Sequence, residues 1–309
     1  MQTELAIGFF DGVHLGHRKL IGAMLKRAKE KGSRSVVYTF REHPASVLLG
    51  GRFAPALLLS LRQRIAAIKE LGVDEVVAVH FTQALAARPP EEFAASLKRR
   101  FPGLGTLFCG GNWRFGAGGK GDAAFLRRLG FSVRVVPYAV RGGKPVSSTR
   151  IRAAIAAGDM GLAAALLGRP YAVSGATVRG KGVGRKIGFP TVNVEPDFLG
   201  PLPHGVYAVD TPAGRAVANF GLAPTMGSRA WKSPVWELNF PGGLESALPR
   251  RFAFTLREFI RPERKFGSMS ELRSAIASDI ERATGSRVPA PHGRVTRPSP
   301  PCNLKDFAL

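Results

Sequence analysis

Along its first half the chain alternates short apolar runs with longer stretches in which apolar residues recur every three or four positions. The runs at residues 4–10, 35–40, 75–81, 106–109 and 132–138 have the length and composition of buried strands. Between them Leu20, Met24 and Ala28 share one helical face, and Leu61, Ile65, Ile68 and Gly72 share another. Strand and helix in alternation predict a Rossmann-like α/β domain: a parallel sheet covered on both faces, with right-handed crossovers. Two short helices are expected near 150–157 and 160–167, after which "GRPY" at 168–171 breaks the pattern.

Beyond Tyr171 the rhythm changes. Runs at 172–178, 191–194, 206–209, 216–220, 235–240 and 252–259 follow one another closely, with turn residues between them. That spacing predicts a small six-stranded antiparallel barrel. Ser268 and Glu271 form a capping-box pattern for a last helix, and its stripe of Leu272, Ile276 and Ile280 would cover the barrel. From about residue 285 the chain mixes proline, arginine and serine without periodicity, which reads as disorder. The expected organisation is an α/β domain over 1–168, a barrel domain over 169–284 and a basic, proline-rich tail over 285–309.

Charge adds a constraint. With 45 Lys and Arg against 22 Asp and Glu, the net charge of +23 attracts polyanions and phosphate-bearing small molecules alike. Nonspecific attraction to nucleic acid follows from such a charge, but composition shows no dedicated recognition module. The two cysteines, Cys109 and Cys302, are too few for a disulfide framework and lack zinc-ligand spacing, which fits a reducing cytoplasm. Without a signal peptide or a bilayer-length apolar run, no membrane partner is expected. Oligomeric state is not legible here.

The chemistry concentrates at two places. "FFDGVHLGHRKL", residues 9–20, joins the first strand to the first helix, where open α/β sheets bind ligands. His14 and His17, three apart in a first turn, can point to one side, while Gly16 lets a phosphate approach backbone N–H groups at a helix N-terminus. Two imidazoles donating to phosphate oxygens suit nucleotidyl transfer, which needs positioning and charge neutralisation more than a covalent nucleophile. The plainer reading is a histidine pair that caps a helix. "VSSTRIR" at 146–152 precedes a helix and offers Ser147, Ser148, Thr149, Arg150 and Arg152 as phosphate partners, or else an ordinary cap with solvated arginines.

The second place is "RGKGVGRKIGFPTVNV", residues 179–194, between the first two barrel strands. Gly180, Gly182, Gly184 and Gly188 would wrap phosphates with backbone N–H groups, and Lys181, Arg185 and Lys186 add positive charge. Thr191 and Asn193 lie two apart on the next strand, hence on one face, where hard oxygens could hold magnesium. The plainer reading is a basic hairpin. His80 and His204 read as structural, Cys109 as core, and Trp113, Trp231 and Trp236 as buried aromatics before flavin platforms.

Together these stretches resemble the bacterial bifunctional riboflavin kinase and FAD synthetase family. "GFFDGVHLGH", the His43–Pro44 pair, "LGVDEVVAVHF", "PPEEF", "GGNWRFG" and "VSSTRIR" follow that family's order in the first half; the glycine-rich run, "GVYAV", "VANFGLAPTMG", "VWELNF" and "FIRPERKF" follow it in the second. The resemblance implies ATP-dependent phosphorylation of riboflavin to FMN, then adenylylation of FMN to FAD, with Mg2+ assisting both. It implies nucleotide contacts from Gly8, Phe10, Asp11 and Pro190 besides those named above, and catalytic roles for His14, His17, Asn112 and Arg150. It also implies that Glu237 is the kinase's general base, a carboxylate in an otherwise apolar strand. Two other readings stay open: an adenylyltransferase with a degenerate kinase domain, which would turn over only supplied FMN, and a nonenzymatic, flavin-responsive nucleic-acid-binding regulator, which would bind RNA or DNA with strong salt dependence.

Overall fold

Five parallel strands, β1 (Thr3–Ile7), β2 (Arg34–Phe40), β3 (Glu75–Val79), β4 (Leu104–Gly110) and β5 (Ser132–Val136), form the first sheet in the order β3-β2-β1-β4-β5. The computed structural model describes residues 2–50, 54–179, 191–222, 233–241 and 249–285. By contact the chain divides into two compact units, Met1–Arg150 and Ile151–Leu309.

Alternation along each strand builds two cores, one per face of the sheet. Leu5, Ile7, Val36, Leu107 and Cys109 pack with Phe93 and Leu97 of one helix, whereas Ala6, Val37 and Phe108 pack with Leu20, Ile21 and Met24 of another. These helices are α1 (Leu15–Lys31) against the second face and, further on, α5 (Pro90–Arg100) against the first. Between them come α2 (Pro44–Leu48), α3 (Leu61–Lys69) and α4 (Gln83–Ala86); after them come α6 (Ala123–Arg128) and a two-stranded ribbon of β6 (Val140–Arg141) and β7 (Lys144–Pro145). Cys109 is core, as expected, and burial pushes its thiol up to about 11.

Three strands of the first sheet stop short of the sequence expectation. β1 ends at Ile7 and not at residue 10, because the chain turns through positive φ at Phe10 (57°), Gly12 (82°) and Val13 (41°). β3 ends at Val79, and β5 ends at Val136, before Pro137, which has no N–H to continue a ladder. The helix α7 (Ser148–Ala156) runs across the division between the units, and α8 (Met160–Leu167) lies wholly in the second. The break at "GRPY" is the end of α8, where Gly168 caps the helix at φ 75°.

The second unit bears out the barrel. β8 (Tyr171–Val178), β9 (Thr191–Pro196), β10 (Gly205–Thr211), β11 (Gly214–Gly221), β12 (Val235–Asn239) and β13 (Arg251–Pro262) close in the order β10-β11-β12-β9-β8-β13. Trp236 is buried inside, stacked on Phe220 at 4.5 Å and edge-on to Tyr207 and Phe254. Val206, Ala208 and Val217 face outward and are covered by Ile276, Ile280 and Ala283 of α9 (Met269–Thr284). Ser268 caps α9 as expected, but Glu271 closes the box one residue early, accepting from the Gly267 N–H at 3.0 Å. Arg261 of β13 and Asp279 of α9 form a forked ion pair over the barrel wall. Of the expected tail, residues 286–309 lie outside the described residues.

Candidate active sites

In the first sheet the strand order reverses between β1 and β4, and at such a reversal the loops leave in opposite directions and open a crevice at the carboxyl edge. The HxGH segment follows β1 and "GGNWRFG" follows β4, so the two motifs flank that crevice.

The β1–α1 turn is strained and heavily braced. Positive φ at a phenylalanine and a β-branched valine costs on the order of 1–3 kcal/mol each. Phe10 and Val13 are nonetheless 2% and 1% exposed, so packing holds them there. Phe10 folds its ring over Gly8, where a Cβ would lie 3.0 Å from Cζ. The Asp11 carboxylate accepts from the buried Leu58 N–H at 2.9 and 3.1 Å and from Leu59 N–H at 3.3 Å. Ser148 at the start of α7 donates to the Asp11 carbonyl at 2.9 Å, bringing "VSSTRIR" against the turn.

This bracing presents the histidines. His14 is the N-cap of α1, its Nδ1 accepting from the Gly16 N–H at 3.1 Å and, more weakly, from His17 N–H at 3.4 Å. An accepting Nδ1 in the neutral ring leaves the proton on Nε2 as a donor. His17 stacks on His14 with ring centroids 3.6 Å apart and has the Phe10 ring edge-on at 5.3 Å. Burial first, then His14 and Arg64, hold the His17 imidazole well below its usual 6.5. Its Nδ1 is buried and has no hydrogen-bond partner among the described residues. The capping reading of HxGH holds for His14, and at Gly16 an added Cβ would sit 3.1 Å from the His14 ring, which would have to shift slightly.

Just before α7, Ser147 accepts from Arg150 N–H at 3.2 Å; within the helix Thr149 is exposed and Arg152 half-buried. Arg150 donates through Nη1 to the carbonyls of Arg141 at 2.8 Å and Lys144 at 3.1 Å, so the β6–β7 ribbon aims its fork. Asn112 is exposed just past β4, next to Trp113, which stacks on Phe115 at 4.8 Å. His80 is exposed and bonded to Glu42 and Arg41, a surface link with no place in the crevice.

Sequence reasoning passed over Arg64. It lies on the buried face of α3 at 1% exposure and donates to the carbonyls of Phe9 (3.0 Å) and Phe40. Its only sequence signal was its place four residues before Ile68, on the stripe that α3 buries.

In the barrel, register assembles the second site. Glu237 of β12 pairs directly with Asn193 of β9 on one side and Asn219 of β11 on the other, and Asn239 pairs with Thr191. Directly paired residues share a face, so Thr191, Asn193, Glu237 and Asn219 make one polar patch on the outer barrel wall. Val217, next along β11 on that face, is the residue that α9 covers. Burial and then the nearby Glu263 raise the Glu237 carboxyl above its usual 4.5. Asn219, the register partner of Glu237, donates to Glu263 at 3.4 Å. His204 stands 4.0 Å from Glu263. Gly180, Lys181, Gly182, Gly184, Arg185, Lys186, Gly188, Pro190 and Trp231 lie outside the described residues.

Comparison with known proteins matches each unit. The FAD synthetase family model covers residues 1–150 and the riboflavin kinase family model covers 167–286. The bifunctional riboflavin kinase/FMN adenylyltransferase of Escherichia coli (strain K12) is 35% identical over 89% of this chain and 90% of its own length. That of Bacillus subtilis (strain 168) is 33% identical over 91% and 92%. A solved structure described as a macrolide-efflux protein from Streptococcus pneumoniae superposes with a TM-score of 0.78 at 28% identity, over 92% of this chain and 94% of that one. Among the described residues no helix is long and apolar enough to cross a membrane. With both catalytic family models in order and this identity along nearly the whole length, the chain belongs to the bifunctional riboflavin kinase/FMN adenylyltransferase family.

Proposed function

We propose that the family's two reactions run at the two sites above: riboflavin phosphorylation on the Glu237 face of the barrel, and FMN adenylylation at the His14–His17 crevice. The observation that supports this division is that each unit holds its own partly buried, shifted titratable group beside polar donors, a raised carboxyl in one and a lowered imidazole in the other.

In the crevice an FMN phosphate oxygen attacks the α-phosphorus of ATP, and the bond to the β-phosphate oxygen breaks to release pyrophosphate. The attacking phosphate is already an anion, so no base is required. His14 donates through Nε2, His17 acts as a neutral imidazole, and the Arg150 N–H groups not spent on the β6–β7 ribbon face the growing charge. Asn112 positions groups at the β4 side of the crevice.

On the barrel, Glu237 accepts the proton of the ribityl hydroxyl as that oxygen attacks the terminal phosphate of ATP, and ADP leaves. A raised pKa suits a base that must take a proton near neutral pH. The Thr191 hydroxyl and Asn193 amide oxygen are hard donors on one face beside a carboxylate, a set that fits magnesium, which keeps waters and binds through few protein ligands plus substrate phosphates. Bound there, it would neutralise phosphate charge. The Gly180–Gly188 loop, with Lys181, Arg185 and Pro190, supplies further nucleotide contacts on this reading. We place both reactions in the cytoplasm, with ATP, riboflavin and FMN as the small-molecule partners.

Purified protein incubated with riboflavin, ATP and magnesium, followed by chromatography, tests the proposal. The wild type should make FMN and then FAD. Replacement His17→Ala should stop the sequence at FMN, and Glu237→Gln should make FAD only from supplied FMN. Equal loss of both products in either variant would count against separate sites.

A further inference from the structure

We infer that Arg64 is a positioning residue of adenylyl transfer, a buried cation that fixes the His14–His17 turn against the end of β2; this rests on the assignment of that reaction to the crevice. The guanidinium donates from α3 to the Phe9 carbonyl at 3.0 Å and to the Phe40 carbonyl, the last residue of β2. Thr39 adds its hydroxyl to the same Phe9 carbonyl at 3.0 Å. One face of the guanidinium lies over the Phe9 ring at 4.0 Å, and that ring meets His43, the N-cap of α2, edge-on at 4.6 Å. A single side chain thus joins the turn after β1 to the end of β2, and the Phe9 ring it covers reaches the start of α2.

Ordinary packing does not account for it. Burying a guanidinium is costly unless an acid pairs with it, and Arg64 forms no ion pair among the described residues. Burial lowers its own pKa to about 10, and the Asp11 carboxylate opposes that drop without touching it. Its Nε is buried with no hydrogen-bond partner among the described residues, as is Nδ1 of His17. A methionine or leucine would fill the same space without either cost. Local rules broken in this way gather at functional sites, where the arrangement is held for chemistry.

The charge has a second consequence. His17 is faced by His14 from the α1 cap and by Arg64 from α3, with Asp11 of the same turn as the nearby acid. A fixed cation there disfavours a second positive charge on the imidazole, so His17 enters catalysis neutral.

The test uses the full chain, assaying FAD formation from FMN and ATP across pH, with FMN formation from riboflavin as the internal control. In Arg64→Met, kcat for FAD should fall roughly 10- to 100-fold, as expected when a reacting group is displaced by up to about 1 Å, while KM for ATP changes less and FMN formation is kept. The acidic limb of its FAD profile should move to higher pH, since His17 then protonates more readily. In Arg64→Lys, which keeps the charge but loses the fork, the acidic limb should stay near the wild-type position while kcat remains low. A folded Arg64→Met with wild-type kcat and profile overturns the inference, and so does loss of both products in parallel. If Arg64→Met does not fold, the kcat and KM of Arg64→Lys decide the matter alone: an unchanged kcat overturns it. Should His17→Ala keep full FAD formation, the crevice assignment itself has failed, a result separate from any behaviour of Arg64.

Discussion

The imidazoles of His14 and His17 lie face to face, 3.6 Å between centroids and 17° from parallel. Two imidazolium ions cannot share that stack without strong repulsion, and His17 is the ring whose protonation the site opposes. FAD formation should therefore hold steady as pH falls through 6.5 and decline only lower, where His17 takes a proton. A kcat/KM profile with FMN and ATP checks this; an acidic limb centred at or above 6.5 would contradict it. Stability should follow the same group. Below 6.5 the unfolded chain takes up a proton that folded His17 refuses, so stability drops as pH falls from 6.5 toward the folded-state value. His17→Gln should flatten that part of the curve.

Gly16 separates activity from stability. An added methyl would meet the His14 ring at 3.1–3.2 Å, so the ring must yield by a few tenths of an ångström. Alanine is also a better helix former than glycine by up to about 1 kcal/mol in a helix interior, and Gly16 lies in the first turn of α1. Gly16→Ala should leave the melting temperature unchanged or slightly higher while lowering FAD formation by about tenfold. A loss of stability matching the loss of activity would mean that the turn, and not the imidazole, had been disturbed.

Asp11, which the family resemblance places at the nucleotide, has a buried carboxylate that accepts from the N–H groups of Leu58 and Leu59. Removing it strands buried donors just before Ser60, the cap of α3. Asp11→Ala should cost about 1–3 kcal/mol, read as a lower urea midpoint, with Asp11→Asn costing less because an amide oxygen can still accept. A nucleotide contact would behave otherwise: the Asn variant would raise KM for ATP at an unchanged midpoint.

What the sequence made legible follows from range. The five parallel and six antiparallel strands and the α9 stripe show in local period, because each buries its own side chains wherever its neighbours lie. The HxGH segment was legible as a strand-to-helix turn with a capping histidine, because residue type and spacing show both. The end of β1 was not, since Phe10 and Val13 adopt backbone angles that their residue types rarely take, and only the packing around them forces it. Arg64 read as a polar helix position because its acceptors, Phe9 and Phe40, belong to other elements. Glu263 was invisible beside Glu237 for the same reason: barrel closure, and not spacing, brings them together.

Glu237 carries the clearest trade between stability and activity. Its carboxyl is raised by burial and by Glu263, so the folded chain holds that proton more tightly than the unfolded chain does. At pH below about 4.5 both states are protonated and nothing is lost; as pH rises through the raised value, the folded state must ionise a poorly solvated acid and stability falls. Glu237→Gln removes that cost, so its melting temperature should exceed the wild type at neutral pH and match it near pH 4. The same change removes the base, and FMN formation should drop by about 10²- to 10⁴-fold. Wild-type FMN formation should likewise fall as acidification protonates Glu237, and Glu263→Gln should shift that fall to lower pH by removing the neighbouring charge. A Gln variant that is less stable at neutral pH, or that still makes FMN, would mean that Glu237 serves the barrel and not the proton transfer.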